Sequence, residues 1–322
     1  MQAFTLVHPS DAKAAVVAAS HSNAKYIAGG TDLLQLAKDN IETPDHLVDL
    51  EALNLSRIEA GPGRLRLEAL ARMSDVAAHP AVVKSWPVLS QALLASASPQ
   101  IRNMGTMGGN LLQRTRCGYF RDTGFNCNKR NPGSGCPAIN GENRNLAILG
   151  GSDQCIATYP GDMAVALLVL DAQVELSGHA GVRTVPIGDF HRLPGDTPHI
   201  ETELQPGEMI TAIRIPATAE RSAYLKVRDR SSFAFALVSA AVALDIQGGV
   251  IRSARVAAGG VGTKPWRLPE VEAALTGKPA NADTLKAAAD RAGEGAHPAS
   301  MNAFKPLLLR RTVLRALQTV SV

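Results

Sequence analysis

The stretch Ala28-Gly29-Gly30-Thr31-Asp32-Leu33-Leu34 decides how this chain is read. It continues a short strand, Lys25-Tyr26-Ile27-Ala28, and leads into Leu33, Leu34 and Leu36, spaced for the apolar face of a helix. Two glycines at such a junction let the backbone approach a ligand closely. The free N–H groups of the following helical turn favour phosphate. Thr31 and Asp32 add side-chain hydrogen-bonding groups. A plain tight turn explains the same residues, so the stretch alone leaves both readings open. It is not the GxGxxG of a Rossmann site, so a dinucleotide held here is held differently.

The surroundings of this turn alternate strands and helices. Ser10 to Ala19 reads as a helix with a Ser/Asp start, and His46 to Leu50 as a second strand. Leu65 to Leu70 alternates strictly, as a half-buried strand does. Met73 to Ala78 and Trp86 to Ser96 read as helices, which makes the beginning an α/β domain. From about 113 to 159 periodicity weakens into a long excursion rich in Gly, Asn, Pro and Arg. Asp162 to Leu170 is then an apolar helix, and Gln173 to Leu176 and Met209 to Ile215 are strands. Past a boundary near 220, Tyr224 to Val227, Leu237 to Ile246 and Ile251 to Ala258 read as an antiparallel meander, the second also compatible with a helix. Helices over Asn281 to Arg291 and Ser300 to Val320 follow. In the last of these, Ala303, Phe304, Leu307, Leu308, Val313, Leu314 and Leu317 form an amphipathic set, suited to covering its own domain or to docking a partner.

Composition excludes several classes. The chain has 322 residues, 33 Lys+Arg against 29 Asp+Glu, a net charge of +4 and 45% hydrophobic residues. That supports globular cores in two or three domains and does not resemble a nucleic-acid footprint. No apolar run is long enough for a membrane span, and the Met1 to Leu6 start does not read as a secretory signal. Four cysteines are too few for a disulfide scaffold at this length.

Two further segments extend the ligand reading. Gly105-Thr106-Met107-Gly108-Gly109-Asn110-Leu111 again combines glycines with hydrogen-bonding side chains. In Gly161-Asp162-Met163-Ala164, Asp162 is placed to cap the helix or to accept from a sugar or ribityl hydroxyl. None of the three is specific alone.

The four cysteines, Cys117, Cys127, Cys136 and Cys155, all fall inside the irregular excursion. Zinc is chemically open, although no C-x2-4-C pair is present. Two disulfides, four unrelated buried thiols, and an iron–sulfur cluster are also open. Arg116, Arg121, Lys129 and Arg130 would offset the charge of a four-thiolate cluster or form a solvated loop.

Taken together and in this order, the three glycine-containing segments resemble the flavoprotein subunit of the molybdenum hydroxylases, the xanthine dehydrogenase and aldehyde oxidase family. That family uses A-G-G-T-x-L, then T-x-G-G-N, then a Ser/Gly-Asp. Tyr224 to Arg230 and Gly259-Gly260-Val261-Gly262-Thr263-Lys264-Pro265-Trp266-Arg267 resemble its C-terminal flavoprotein domain. The resemblance covers essentially the whole chain. It implies an α+β fold: a two-lobed FAD-binding domain of the molybdenum hydroxylase/vanillyl alcohol oxidase type over 1–220, and over 221–322 an α+β C-terminal domain with an antiparallel sheet and helices. It implies FAD contacts from Ala28, Gly29, Gly30, Thr31, Asp32, Leu33 and Leu34, from Thr106, Gly109 and Asn110, and from Asp162. Ile210 and Lys226 lie where the family approaches the flavin ring.

The runs Asn110 to Cys117 and Cys127 to Cys136 are similar to the branch whose flavin subunit carries a [4Fe–4S] insert, the branch of 4-hydroxybenzoyl-CoA reductase and the three-subunit bacterial aldehyde oxidoreductases. By that resemblance, Cys117, Cys127, Cys136 and Cys155 are the cluster ligands. No nucleophile–base set appears, and the eight histidines are scattered as surface or capping residues, so no catalytic residue is expected here. The implied assembly is a heterotrimer. A large molybdenum-cofactor subunit oxidises an aldehyde with water to a carboxylic acid, and a small subunit passes electrons through two [2Fe–2S] clusters to FAD. The insert disfavours NAD⁺ as acceptor and points to ferredoxin, quinone or oxygen. The compartment is the cytoplasm, or the periplasm by co-export with a signal-bearing partner. A free-standing flavin oxidase and a zinc-stapled binding protein are the alternative classes.

Overall fold

The computed structural model describes residues 1 to 321. Three sheets organise it. β1 (Thr5–Val7), β2 (Ala24–Ile27) and β3 (His46–Asp49) form a parallel sheet in the order β1-β3-β2. β4 (Ile58–Gly61), β5 (Arg64–Glu68), β6 (Gln173–Gly178), β7 (Gly181–Pro186) and β8 (Met209–Ile215) form an antiparallel sheet in the order β4-β5-β8-β6-β7. β9 (Ser222–Val227), β10 (Val238–Gln247), β11 (Val250–Gly259) and β12 (Trp266–Arg267) form a second antiparallel sheet in the order β12-β11-β10-β9. Two α/β lobes and an α+β unit result, the α+β architecture expected from the sequence.

Each sheet folds for a legible reason. In β5, Leu65 and Leu67 alternate with arginines and are 1% and 0% exposed, so the strand buries one face. The helix Met163–Val169 is buried all round and lies in the centre of the largest core, against the helix Pro87–Ala95 and the sheet β9–β12. The segment 238–247 is a strand, because its small apolar residues pair on both sides with β9 and β11.

The last helix differs from its expectation. It runs over Lys305–Val320, not from Ser300. Asn302 turns its side chain back instead, accepting from Ala299 N at 2.7 Å and donating to the carbonyls of Asn143 and Leu146. Leu309, Val313, Ala316 and Leu317 face the helix's own domain, while Leu307 stays 53% exposed. Lys305 is fully buried and donates to Leu146 O and Gly260 O at 2.8 and 2.6 Å. Burial pulls its amine down to about 7, whereas the two carbonyls favour the charged form.

Candidate functional site

β2 leads through Ala28 into a turn where Gly30 has φ +66°. A Cβ on Gly29 would stand 2.0 Å from Met104 O, so only glycine lets this turn lie against the second glycine segment. That segment begins with the helix Pro99–Met104 and passes through Gly105 to Thr106. Thr106 caps the helix Met107–Leu111, accepting from Gly109 N at 3.2 Å. Gly108 N donates to Ala69 O, and a Cβ there would meet Ala69 at 3.0 Å. The Gly29 turn thus lies against Met104 and Gly105, immediately before Thr106 to Asn110.

Asp162 is 5% exposed and makes no side-chain cap bond to its helix. Its carboxylate instead accepts from Lys226 Nζ at 2.7 Å and Ser96 Oγ at 3.1 Å through Oδ2, and from Tyr224 Oη at 2.5 Å through Oδ1. Lys226 is not a surface charge. Its side chain is 4% exposed, and Nζ also donates to Ala95 O. Burial, then the Asp162 charge, pushes the Tyr224 phenol well above its usual range. Tyr224 and Ser96 were absent from the sequence expectation. Tyr224 carried a signal, since residues two apart on a strand share a face and Lys226 was already singled out; Ser96 carried none. Ile210, on β8, is 4% exposed and sits in the same apolar core as Met107, Met163 and Tyr224.

The two parts are connected by the chain between them. Arg102 Nη1 donates to Ser96 O at 2.7 Å, so the segment 96–110 runs from the Asp162–Lys226 pair to the Gly29 turn. Asn110 Oδ1 and Arg116 Nε are buried without a partner among the described residues. Both suit a polar ligand such as FAD beside these glycines.

All four cysteines are free, and all four line one cavity, with Tyr119, Phe120, Asn128, Lys129, Ala138 and Ala157 among its walls. Cys117 starts a single helical turn, Gly118–Arg121. Cys127 and Cys136 flank a loop turned by Gly133 and Gly135 at φ +84° and +100°. Asn128, 4% exposed, ties that loop down: Oδ1 accepts from Gly135 N at 2.7 Å and Nδ2 donates to Gln154 O and Oε1.

Phe120 N and Arg121 N donate to Cys117 O, and Ile139 N donates to Cys136 O, which turns the backbone tightly at both cysteines. Ala157 N donates to Cys155 Sγ at 3.4 Å. Burial pushes the Cys117 and Cys136 thiols up and the Cys155 thiol to about 11. Among the described residues, no group of three or more His, Cys, Asp or Glu side chains converges as one metal ion requires.

The basic residues of this stretch do not form a solvated loop. Lys129 Nζ bonds Glu201 at 2.7 Å and Pro198 O, and Arg130 donates to the carbonyls of Tyr119, Phe120 and Phe125. Arg114 lies between Glu201, at 2.6 Å, and Glu42. Arg116 and Arg121 both reach Asp32 of the glycine turn, at 2.6 and 2.9 Å. The cysteine stretch and the first glycine turn are therefore in direct contact.

His191 departs from the expectation of surface or capping histidines. It is 4% exposed, its Nε2 lies 3.0 Å from Leu111 O, and its ring packs 4.4 Å from that of Tyr159. Burial pulls its pKa down to about 4, so the ring stays neutral.

Comparison with known proteins shows the family. Residues 2–218 match the family described as the FAD binding domain in molybdopterin dehydrogenase, and residues 223–320 the CO dehydrogenase flavoprotein C-terminal domain. The chain is 50% identical over 322 residues to the aldehyde oxidoreductase FAD-binding subunit PaoB of Escherichia coli (strain K12), covering 98% of each chain. It is 28% identical to the glyceraldehyde dehydrogenase medium chain of Sulfolobus acidocaldarius, over 87% of this chain and 83% of that one. Among solved structures, carbon monoxide dehydrogenase from Hydrogenophaga pseudoflava superimposes with a TM-score of 0.77 at 26% identity, over 99% of this chain and 97% of that one. Quinoline 2-oxidoreductase from Pseudomonas putida 86 gives the same values.

Proposed function

The chain belongs to the FAD-binding subunits of the molybdenum hydroxylase family, and from that premise we propose that it is the flavin and [4Fe–4S] electron-transfer subunit of an aldehyde oxidoreductase. As a family member it is an oxidoreductase subunit that binds FAD. The cluster, the reaction and the partners are our reading. When bound, FAD exchanges electrons in pairs or singly, which joins a two-electron oxidation to one-electron carriers.

The chain's own groups do the holding. The Gly29–Thr31 turn and the Thr106–Asn110 segment supply close backbone and polar contacts for the cofactor. The Asp162–Lys226–Tyr224 set fixes the end of the helix Pro87–Ala95 against β9. The aldehyde would be oxidised on a large molybdenum-cofactor subunit, and electrons would arrive through a small subunit with two [2Fe–2S] clusters. They would leave to a ferredoxin, a quinone or oxygen.

One observation carries the cluster assignment: four free cysteines line a single cavity, in which Ala157 N donates to Cys155 Sγ at 3.4 Å. Iron–sulfur thiolates need such donors. A cluster fills the space between its thiolates with iron and sulfide. Its ligands therefore stand farther apart than around one zinc ion, which fits thiols that ring a cavity without converging on a point.

Metal and flavin analysis of the purified chain tests this. About four iron atoms and four sulfides per FAD are expected from the cluster's composition. Zinc, or flavin with no iron, would overturn the cluster assignment and leave the flavin subunit assignment standing.

A further inference from the structure

We propose that Asp32 is a positioning residue that makes flavin binding at the Gly29–Thr31 turn and ordering of the loop carrying Cys117 mutually dependent. Asp32 stands at the N-terminal end of the helix Leu33–Lys38, where an aspartate ordinarily caps, yet its side chain makes no cap bond. Every polar contact of its carboxylate goes to one short segment. Oδ2 accepts from Arg114 N at 2.8 Å, and Oδ1 takes Arg116 Nη1 at 2.6 Å and Arg121 Nη2 at 2.9 Å. These three residues bracket Cys117. Arg121 also closes the single turn that Cys117 begins, through Arg121 N to Cys117 O at 3.0 Å.

The Asp32 side chain is 16% exposed, so these charge-assisted bonds are shielded from water. Leaving either side unpaired there is costly. The turn is tied to the loop through Asp32, and Gly29 also lies close against Met104, where no side chain would fit. Whatever orders the loop before Cys117 therefore pre-orders the turn for a diphosphate, and a bound diphosphate holds the loop in place. Linkage makes the two effects equal. The part concerning the cluster rests on the function proposed above.

A double-mutant cycle on the full chain tests this, with FAD affinity read by flavin fluorescence and iron measured on the same preparations. Cys117→Ser is expected to weaken FAD binding about tenfold when Asp32 is present, and less than about twofold in the Asp32→Asn background. Hydrogen exchange supplies a readout independent of iron. Added FAD is expected to slow exchange of amides 114–121 in the native chain and in Asp32→Glu, but not in Asp32→Asn. Arg121→Gln, which leaves the flavin turn itself unaltered, is expected to weaken that protection. Equal Cys117→Ser penalties in both backgrounds of an iron-bearing chain, or FAD protection of 114–121 that survives Asp32→Asn and Arg121→Gln, overturns the proposal. A chain without iron defeats the cluster assignment alone, and the exchange experiment then decides the role of Asp32.

Discussion

In the C-terminal unit, Val238, Val242, Val256, Leu309, Val313 and Leu317 meet in one core between the sheet β9–β12 and the helix Lys305–Val320. Over residues 113–159, regular structure shrinks to one helical turn at Gly118–Arg121 and one 3₁₀ turn at Pro137–Ile139. There a small cluster of Phe120, Ala138, Leu146 and Ala157 packs with the cysteines. Asn128, Arg130 and Lys129 add polar ties, mostly from side chain to backbone. Each region has a buried centre. The first is stabilised by apolar area spread over many residues. The second rests more on polar bonds and on the small cluster around Phe120.

The sharpest way to break this comparison is Phe120→Ala. Phe120 is fully buried, and removing it should cost about 3–5 kcal/mol. Hydrogen exchange should report the loss across 113–159 and leave β10 and β11 unchanged. Uniform destabilisation would mean the two regions unfold as one unit. Leu309→Ala is the reciprocal change, about 2–5 kcal/mol, and should appear as a lowered denaturation midpoint of the C-terminal unit.

His191 lies at the seam between the cysteine cavity's neighbours and the main core, and it gives a pH test. The unfolded chain takes up its proton near 6.5 and the folded chain only near 4. Stability is therefore full above 6.5 and falls as pH drops from 6.5 to 4, by about 1.4 kcal/mol per unit and about 3 in all. Denaturant titrations at several pH values should show this slope flattened in His191→Gln. A slope that is unchanged would assign the acid sensitivity to other groups. The smallest effect expected is Asn128→Ala, about 1–3 kcal/mol, because it leaves Gly135 N and the Gln154 carbonyl without their partner. Proteolysis should then cut between Cys127 and Cys136 and nowhere in β9–β12.

The unevenness of the two regions also explains what could be read from the residues. Strands β5, β6 and β8 stood out because one face is buried and their apolar residues alternate or cluster. β1, β4 and β7 escaped notice. Each is an edge strand with mostly exposed or half-buried residues, so no periodic pattern marks it. Within the site, the glycines are legible because close backbone approach allows no other residue: a Cβ on Gly29 would stand 2.0 Å from Met104 O. The partners of Asp162, the burial of His191 and the commitment of Asp32 to the cysteine loop were not legible. The hydrogen bonds that define them join segments 60 or more positions apart.

The sequence by itself determined the family, the glycine turns and the four thiols available to a common centre, because those depend on residue type and order along the chain. Only the tertiary structure decided which charges meet: Lys226 with Asp162, and Arg116 and Arg121 with Asp32. Ion pairing in a buried site depends on distance and shielding from water. Neither quantity exists until the sheets have brought distant segments together.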